Sequence, residues 1–172
     1  MDTYTLLKYL EKICKCKNVE FDVMPCDYLE KVVITSKRMA IIVNLSDSSS
    51  LGTHWVLYII NGVNGPIEYY DSYGTPIHEQ PSYFLNFCFK NKRRIIQINK
   101  QLQSINSDVC GHYCIFFTLM RLNGCSMQKI YSCFSKNYAK NDTFVKKVVE
   151  KLKQQKSCKI IYKNQSCKCL NK

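Results

Sequence analysis

The sequence predicts an α+β domain: a central mixed or antiparallel sheet flanked by helices, with a cysteine at the N-terminus of a buried helix. Three observations lead there. Apolar runs of strand length, bounded by turn residues, crowd between residues 39 and 98. The stretch 110–122 is apolar nearly all round, as in a helix enclosed on every side. Amphipathic helical patterns stand at both ends of the chain, and helix, then strands, then helices is the order of a segregated α+β fold.

The first helix starts after Thr3, a capping residue, with Leu6, Leu7, Leu10, Ile13 and Cys14 at helical spacing. MAIIVNL (39–45) reads as a buried strand, SDSSSLGT (46–53) as a polar loop, and HWVLYII (54–60) as a second strand. NGVNGP (61–66) is dense in turn residues and leads into a third strand, IEYYD (67–71), so 54–71 forms a hairpin. PSYFLNFCFKNK (81–92) is expected to be helical and RIIQI (94–98) a short strand. After the helix at 110–122, Gly124 supplies its C-terminal cap. Two amphipathic helices follow, at 126–137 and 142–156; the second puts Phe144, Val145, Val148, Val149 and Leu152 on one face. The tail from 157 has no clear period.

A chain of 172 residues is expected to make one domain, with its core over about 39–124 and a basic helical part over 126–172. No apolar run approaches the roughly 18 residues of a membrane span. The N-terminus lacks the basic head and apolar stretch of a secretion signal, so a non-secreted protein without membrane partners is expected. Eleven cysteines are an odd number, and in such a chain most are expected to be reduced. Cys26, Cys88, Cys125 and Cys133 lie among apolar neighbours, where a free thiol acts as a small hydrophobe.

Charge is unevenly distributed. The chain carries +12, of which residues 126–172 hold twelve lysines against Asp142 and Glu150, or +10. A field so placed suits a polyanion near the C-terminal quarter, nucleic acid above all, with Lys146, Lys147, Lys151 and Lys153 as the contact face. A solvated lysine face encoded by an AT-rich genome explains the same composition.

Chemistry centres on Cys110, at the seam between loop and helix in NSDVCGHYC. A sulfur there faces unpaired amides and the positive end of the helix dipole, which favours thiolate. Gly111 would keep the first turn bare for an approaching substrate backbone. A thiolate nucleophile needs a proton shuttle, in practice a histidine. His112 points away from Cys110 on the same helix, and His78 lies in a featureless loop. His54 opens a strand after a serine-rich loop, and Asp71 ends the neighbouring strand, where a carboxylate would hold the Nδ1–H of His54. Singly, each residue is more often packing or a turn former; together they sit at the ends of three regular elements.

The joint pattern resembles adenain, the adenovirus maturation protease, and more distantly the SUMO and ubiquitin-like proteases of the same clan. It rests on GTHW (52–55), YYDSYG (69–74), LQSINSDVCGHYC (102–114) and the order His, acid, Gln, Cys, with Gln103 seven residues before Cys110. The resemblance implies a papain-type cysteine protease fold and a thiol endopeptidase. In it Cys110 would attack, His54 would move the proton and Asp71 would orient the imidazole. Gln103 would share the oxyanion with the Cys110 amide, a role that can supply about 3 kcal/mol of transition-state stabilisation. Trp55 would pack beside the imidazole and, with Gly111, border the substrate.

The same resemblance implies substrates among viral capsid and core precursors, cut next to small residues, in the virion and in the infected cell's nucleus or cytoplasmic factory. It implies no metal or organic cofactor, a monomer, and DNA or a capsid-derived peptide as activators. Peptide activation is in doubt, because the adenoviral cysteine that captures the peptide corresponds here to Lys92, with Cys88 nearby. Related proteases also occur in virophages and Maverick-type elements, which the Lys- and Asn-rich composition fits. One rival is a SUMO or ubiquitin-like deconjugase with the same triad. The other is a zinc-stabilised nucleic-acid module using Cys14/Cys16, Cys110/His112/Cys114 and Cys167/Cys169, whose spacings are poor for zinc.

Overall fold

A computed structural model describes residues 1–154 as an α+β domain with a five-stranded mixed sheet. The end of the helix expected at 142–156 with Lys156, the tail with its four lysines and the Cys167/Cys169 pair lie outside the described residues. Along the chain come α1 (Thr3–Cys14), β1 (Glu20–Pro25), β2 (Arg38–Asn44), β3 (Trp55–Asn61), β4 (Ile67–Tyr70), α2 (Ser82–Lys90), β5 (Ile95–Ile96), α3 (Cys110–Leu122), α4 (Met127–Ser132) and α5 (Tyr138–Gln154). The strands lie in sequence order; β2–β3–β4 is an antiparallel meander, and β1 and β5 flank it in parallel.

Both faces of the sheet are covered, which explains why β2 and β3 read as unbroken apolar runs rather than alternating ones. Ala40, Ile42, Leu57 and Ile59 face one core with α1, α3, α4 and α5. Met39, Ile41, Val43, Val56, Tyr58 and Ile60 face the other, where Phe84 and Phe87 of α2 and Leu29 of a 3-10 turn cover them. Helix α3 lies inside the first core, with ten of its residues buried. It ends as expected: Gly124 takes φ +84°, and the amides of Gly124 and Cys125 return to the carbonyls of Arg121 and Met120.

Several expectations need correcting. Asp2, not Thr3, caps α1, accepting from the Thr5 amide at 2.8 Å. Strand β1 was not legible, helix α4 stops at Ser132, and β5 shrinks to two residues. Helix α5 starts four residues early, with Asn141 and Asp142 buried inside it as anchors. Cys125 is buried, yet it and Cys16 are disulfide-bonded rather than free. Cys14, Cys26, Cys88, Cys110, Cys114 and Cys133 are free thiols. No helix among the described residues is long and apolar enough to cross a membrane.

Helix α3 is tied to β4 by a buried ion pair. Arg121 donates to Glu68 at 2.6 and 2.5 Å, while Tyr70 and Asn61 also donate to that carboxylate. Arg121→Met would strand a carboxylate that is nearly enclosed, and should cost about 3–5 kcal/mol. The measurement is a lowered urea midpoint at unchanged slope.

Candidate active site

The antiparallel pairing of β3 and β4 brings the start of one strand beside the end of the other. His54 immediately precedes β3 and Asp71 immediately follows β4, so the two meet at the same edge of the sheet. Helix α3 packs across β3 and carries its first residue, Cys110, to that edge. Three residues distant in sequence thus converge because three rigid elements end at one place.

Asp71 is 3% exposed and fully engaged. One of its oxygens accepts from His54 Nε2 at 2.7 Å and from the Tyr73 amide at 2.9 Å. The other accepts from the Thr75 amide at 3.2 Å and Gln80 Nε2 at 3.3 Å. This corrects one atom of the expectation: the carboxylate holds Nε2, which leaves Nδ1 for the thiol. Gly74 makes the arrangement possible. Its φ is +75°, and a Cβ there would come within 2.6 Å of the Lys100 carbonyl carbon.

The imidazole and the thiol shift each other. Burial opposes a charged His54, but hydrogen bonds to Asp71 and Cys110, with their charges, outweigh it and push its pKa up to about 9. Burial likewise opposes a thiolate at Cys110. The hydrogen bond and charge of His54, with the backbone amides of Trp55 and Gly111, prevail and lower its pKa. No side chain caps α3, so its first amides remain available to the sulfur. One turn along, Cys114 is fully enclosed, and burial drives its thiol well above the ordinary value. Two cysteines on one helix are therefore opposite in character, and Cys110 is the one whose surroundings favour a thiolate.

Gln103 is completely buried in the loop before α3. Its side-chain oxygen accepts from Ser72 at 2.7 Å, and its amide nitrogen donates to the Ser107 carbonyl at 2.7 Å and the Tyr73 hydroxyl at 3.2 Å. Both amide protons are thus in use, the one towards Tyr73 more weakly held. The loop is pinned from α5: Asn141 Nδ2 donates to the Leu102 carbonyl, and Asp142 accepts from the Ser104 amide and the Tyr113 hydroxyl. Tyr73 also stacks on His54, with ring centroids 4.6 Å apart. None of Ser72, Tyr73, Asn141 or Asp142 was singled out from sequence, although YYDSYG contains the first two.

The other expected site residues divide. Trp55 is half-buried, and its indole N–H donates to the Met1 carbonyl at 3.0 Å. Gly111 is not open to a substrate: a Cβ there would lie 3.2 Å from Leu6 Cδ2 and from Met1 Cβ, so the bare backbone serves α1. His112 is set apart from the triad, with a buried Nδ1 that has no partner among the described residues. Lys147, Lys151 and Lys153 are exposed on α5, as is Lys146, which lies 3.9 Å from Asp108. Among the described residues no cluster of three or more histidines, cysteines or carboxylates could hold a metal.

No model of a known protein family matches the chain, and no curated protein matches it.

Proposed function

We propose that this chain is a thiol endopeptidase of the adenain type, acting on capsid or core precursor proteins during virion maturation. The observation that carries this reading is the line of buried Asp71, buried His54 and half-buried Cys110, in which imidazole and thiol shift in opposite senses. Such a pair favours a thiolate facing an imidazolium. The thiolate attacks the scissile carbonyl, and His54 Nδ1 gives its proton to the leaving amine. His54 then takes a proton from water as the thioester is hydrolysed. Asp71 holds the ring through Nε2 throughout. The Cys110 amide holds the oxyanion, joined by Gln103 when the proton now facing Tyr73 turns to it.

The charged pair predicts a pH profile. Alkylation of Cys110 by iodoacetamide should follow a midpoint below the roughly 8.5 of an ordinary thiol. Peptide hydrolysis should rise through that same limb and fall as pH rises through about 9, where His54 loses the proton it must donate. A single midpoint at the ordinary thiol value in both assays would contradict the pairing.

The lysine face of α5 fits the DNA cofactor role that the resemblance to adenain implies. Duplex binding should be indifferent to sequence and weaken steeply with salt, each phosphate contact releasing about 0.9 counterion. Replacing Lys146, Lys147, Lys151 and Lys153 with Glu should flatten that slope in a mobility-shift titration. The function itself is tested by incubating the protein with the structural proteins encoded beside it and with a panel of ubiquitin-like fusions, and mapping cut sites. Cleavage of the precursors is the expected result. Cleavage of the fusions alone would make the chain a deconjugase, and no cleavage of either would overturn the reading.

A further inference from the structure

A groove of about 460 Å³ runs from the β2–β3 loop to the edge of the site. Trp55 and Met1 form part of its wall. The backbone amide of Trp55 reaches the Cys110 sulfur and Met1 packs over Gly111, so two residues of the wall also touch the start of α3. Asn44, the last residue of β2, lies opposite Trp55 in the strand register and forms part of the wall.

Asn44 is 5% exposed, and its two amide atoms are used unequally. Oδ1 accepts from the Ser46 amide at 3.0 Å and the Thr53 amide at 3.1 Å, which fixes both ends of the loop. Nδ2 has no hydrogen-bond partner among the described residues. Oδ1 is thus spent on the fold, while Nδ2 is the atom of this enclosed side chain left open to the groove and free to donate to a ligand there. Gly52 shows where that ligand enters. The glycine is exposed, and a Cβ on it would stand 2.7 Å from Nδ2. Glycine at 52 is a window over the donor.

We infer that Asn44 Nδ2, reached through Gly52 beside Trp55, is the main-chain anchor of a substrate subsite that takes an extended polypeptide segment, by donating to one of its backbone carbonyls. The inference rests on the endopeptidase reading and adds how the substrate is gripped. The partner must be an acceptor, which a peptide carbonyl is, and an extended strand presents such carbonyls at regular intervals along its length. The remaining wall mixes Asp2, Thr3, Pro25, Ser46, Asp47 and Ser48, so it offers polar and apolar surface to the side chain entering beside it.

Two rates on the full-length protein test this: inactivation by a tetrapeptidyl vinyl sulfone with polar side chains, and alkylation by iodoacetamide, which is too small to need the groove. Asn44→Asp keeps the oxygen that serves Ser46 and Thr53 but removes the donor; Gly52→Ala leaves the donor and covers it. In both variants the ratio of peptide-probe rate to iodoacetamide rate should fall about tenfold, the worth of one directed hydrogen bond. Probes with each backbone carbonyl in turn replaced by methylene should lose about tenfold at one position in the native protein, and nothing further there in Asn44→Asp. An unchanged ratio in both variants, or no sensitive carbonyl, would overturn the subsite while leaving the endopeptidase reading intact. A native protein whose Cys110 resists iodoacetamide at neutral pH would overturn the endopeptidase reading, and the subsite with it.

Discussion

Cys110→Ala should reduce peptide cleavage to background, a loss on the order of 10⁶ for removal of a covalent nucleophile. It should also abolish the fast phase of iodoacetamide labelling at neutral pH. The five other free thiols among the described residues are not substitutes. The pKa of Cys14, Cys26, Cys88, Cys114 and Cys133 is raised in each case, with burial as the leading cause. The variant should fold, because an alanine at the start of α3 removes only a sulfur at the rim of the core. Mass-spectrometric mapping of the labelled site, with circular dichroism of the variant, checks both halves. Retained turnover would remove Cys110 from the chemistry altogether.

Asp71→Asn should lower kcat by up to about 10⁴, the scale known for loss of the orienting acid in a serine triad. The geometry says why an amide cannot stand in. Four donors converge on the carboxylate, two on each oxygen: His54 and Tyr73 on one, Thr75 and Gln80 on the other. Whichever way an asparagine turns, its NH₂ faces two of them. The negative charge that helps hold the imidazolium is lost as well. The pKa of His54 should fall from about 9, and with less cation beside it the thiol of Cys110 should rise. The window between the two limbs of the pH profile should therefore narrow from both sides. A large drop in kcat with an unmoved profile would mean that Asp71 acts only as a structural tie.

How far the sequence reveals this architecture depends on how each element is buried. Helix α3 was legible to its last residue: Val-Cys-Gly opens it, Asn-Gly closes it, and nearly everything between is enclosed. Strands β2 and β3 were legible within one residue, since two covered faces leave no polar alternation to confuse the pattern. Strand β1 was not, because it lies at the sheet edge and buries only Val23, so Glu-Phe-Asp-Val-Met-Pro carries no period. The start of α5 was misplaced because its first residues, Tyr-Ala-Lys-Asn-Asp, carry no apolar face. Asn141 and Asp142 are buried, spending their hydrogen bonds on the loop at Leu102 and Ser104.

The site divides along the same line. His54, Asp71 and Cys110 were readable because each stands where a strongly patterned element stops. Which nitrogen Asp71 would hold was not readable, since it depends on the rotamer of a ring whose Tyr73 neighbour contacts it from across a turn. Gly111 looked like clearance for a substrate, and only the packing of Met1 and Leu6 shows whose clearance it is. The amide of Asn44 was invisible for a similar reason: nothing in Val-Asn-Leu says that one side of the asparagine is satisfied and the other is not.

The spacing of the three residues along the chain sets an order in time. His54 and Asp71 are 17 residues apart on a single hairpin and meet as soon as β3 and β4 pair. Cys110 leaves the ribosome later, and the loop carrying Gln103 is fixed only when Asn141 and Asp142 of α5 arrive. Until α3 packs on β3 the cysteine lacks the imidazole partner that lowers its pKa. On the endopeptidase reading a half-made chain would therefore be chemically quiet, unable to attack its neighbours or to be spent on stray electrophiles. The speed with which a small alkylating agent finds Cys110 is, by the same token, a clock hand for assembly: in a refolding chain it should quicken only when α3 docks on the hairpin.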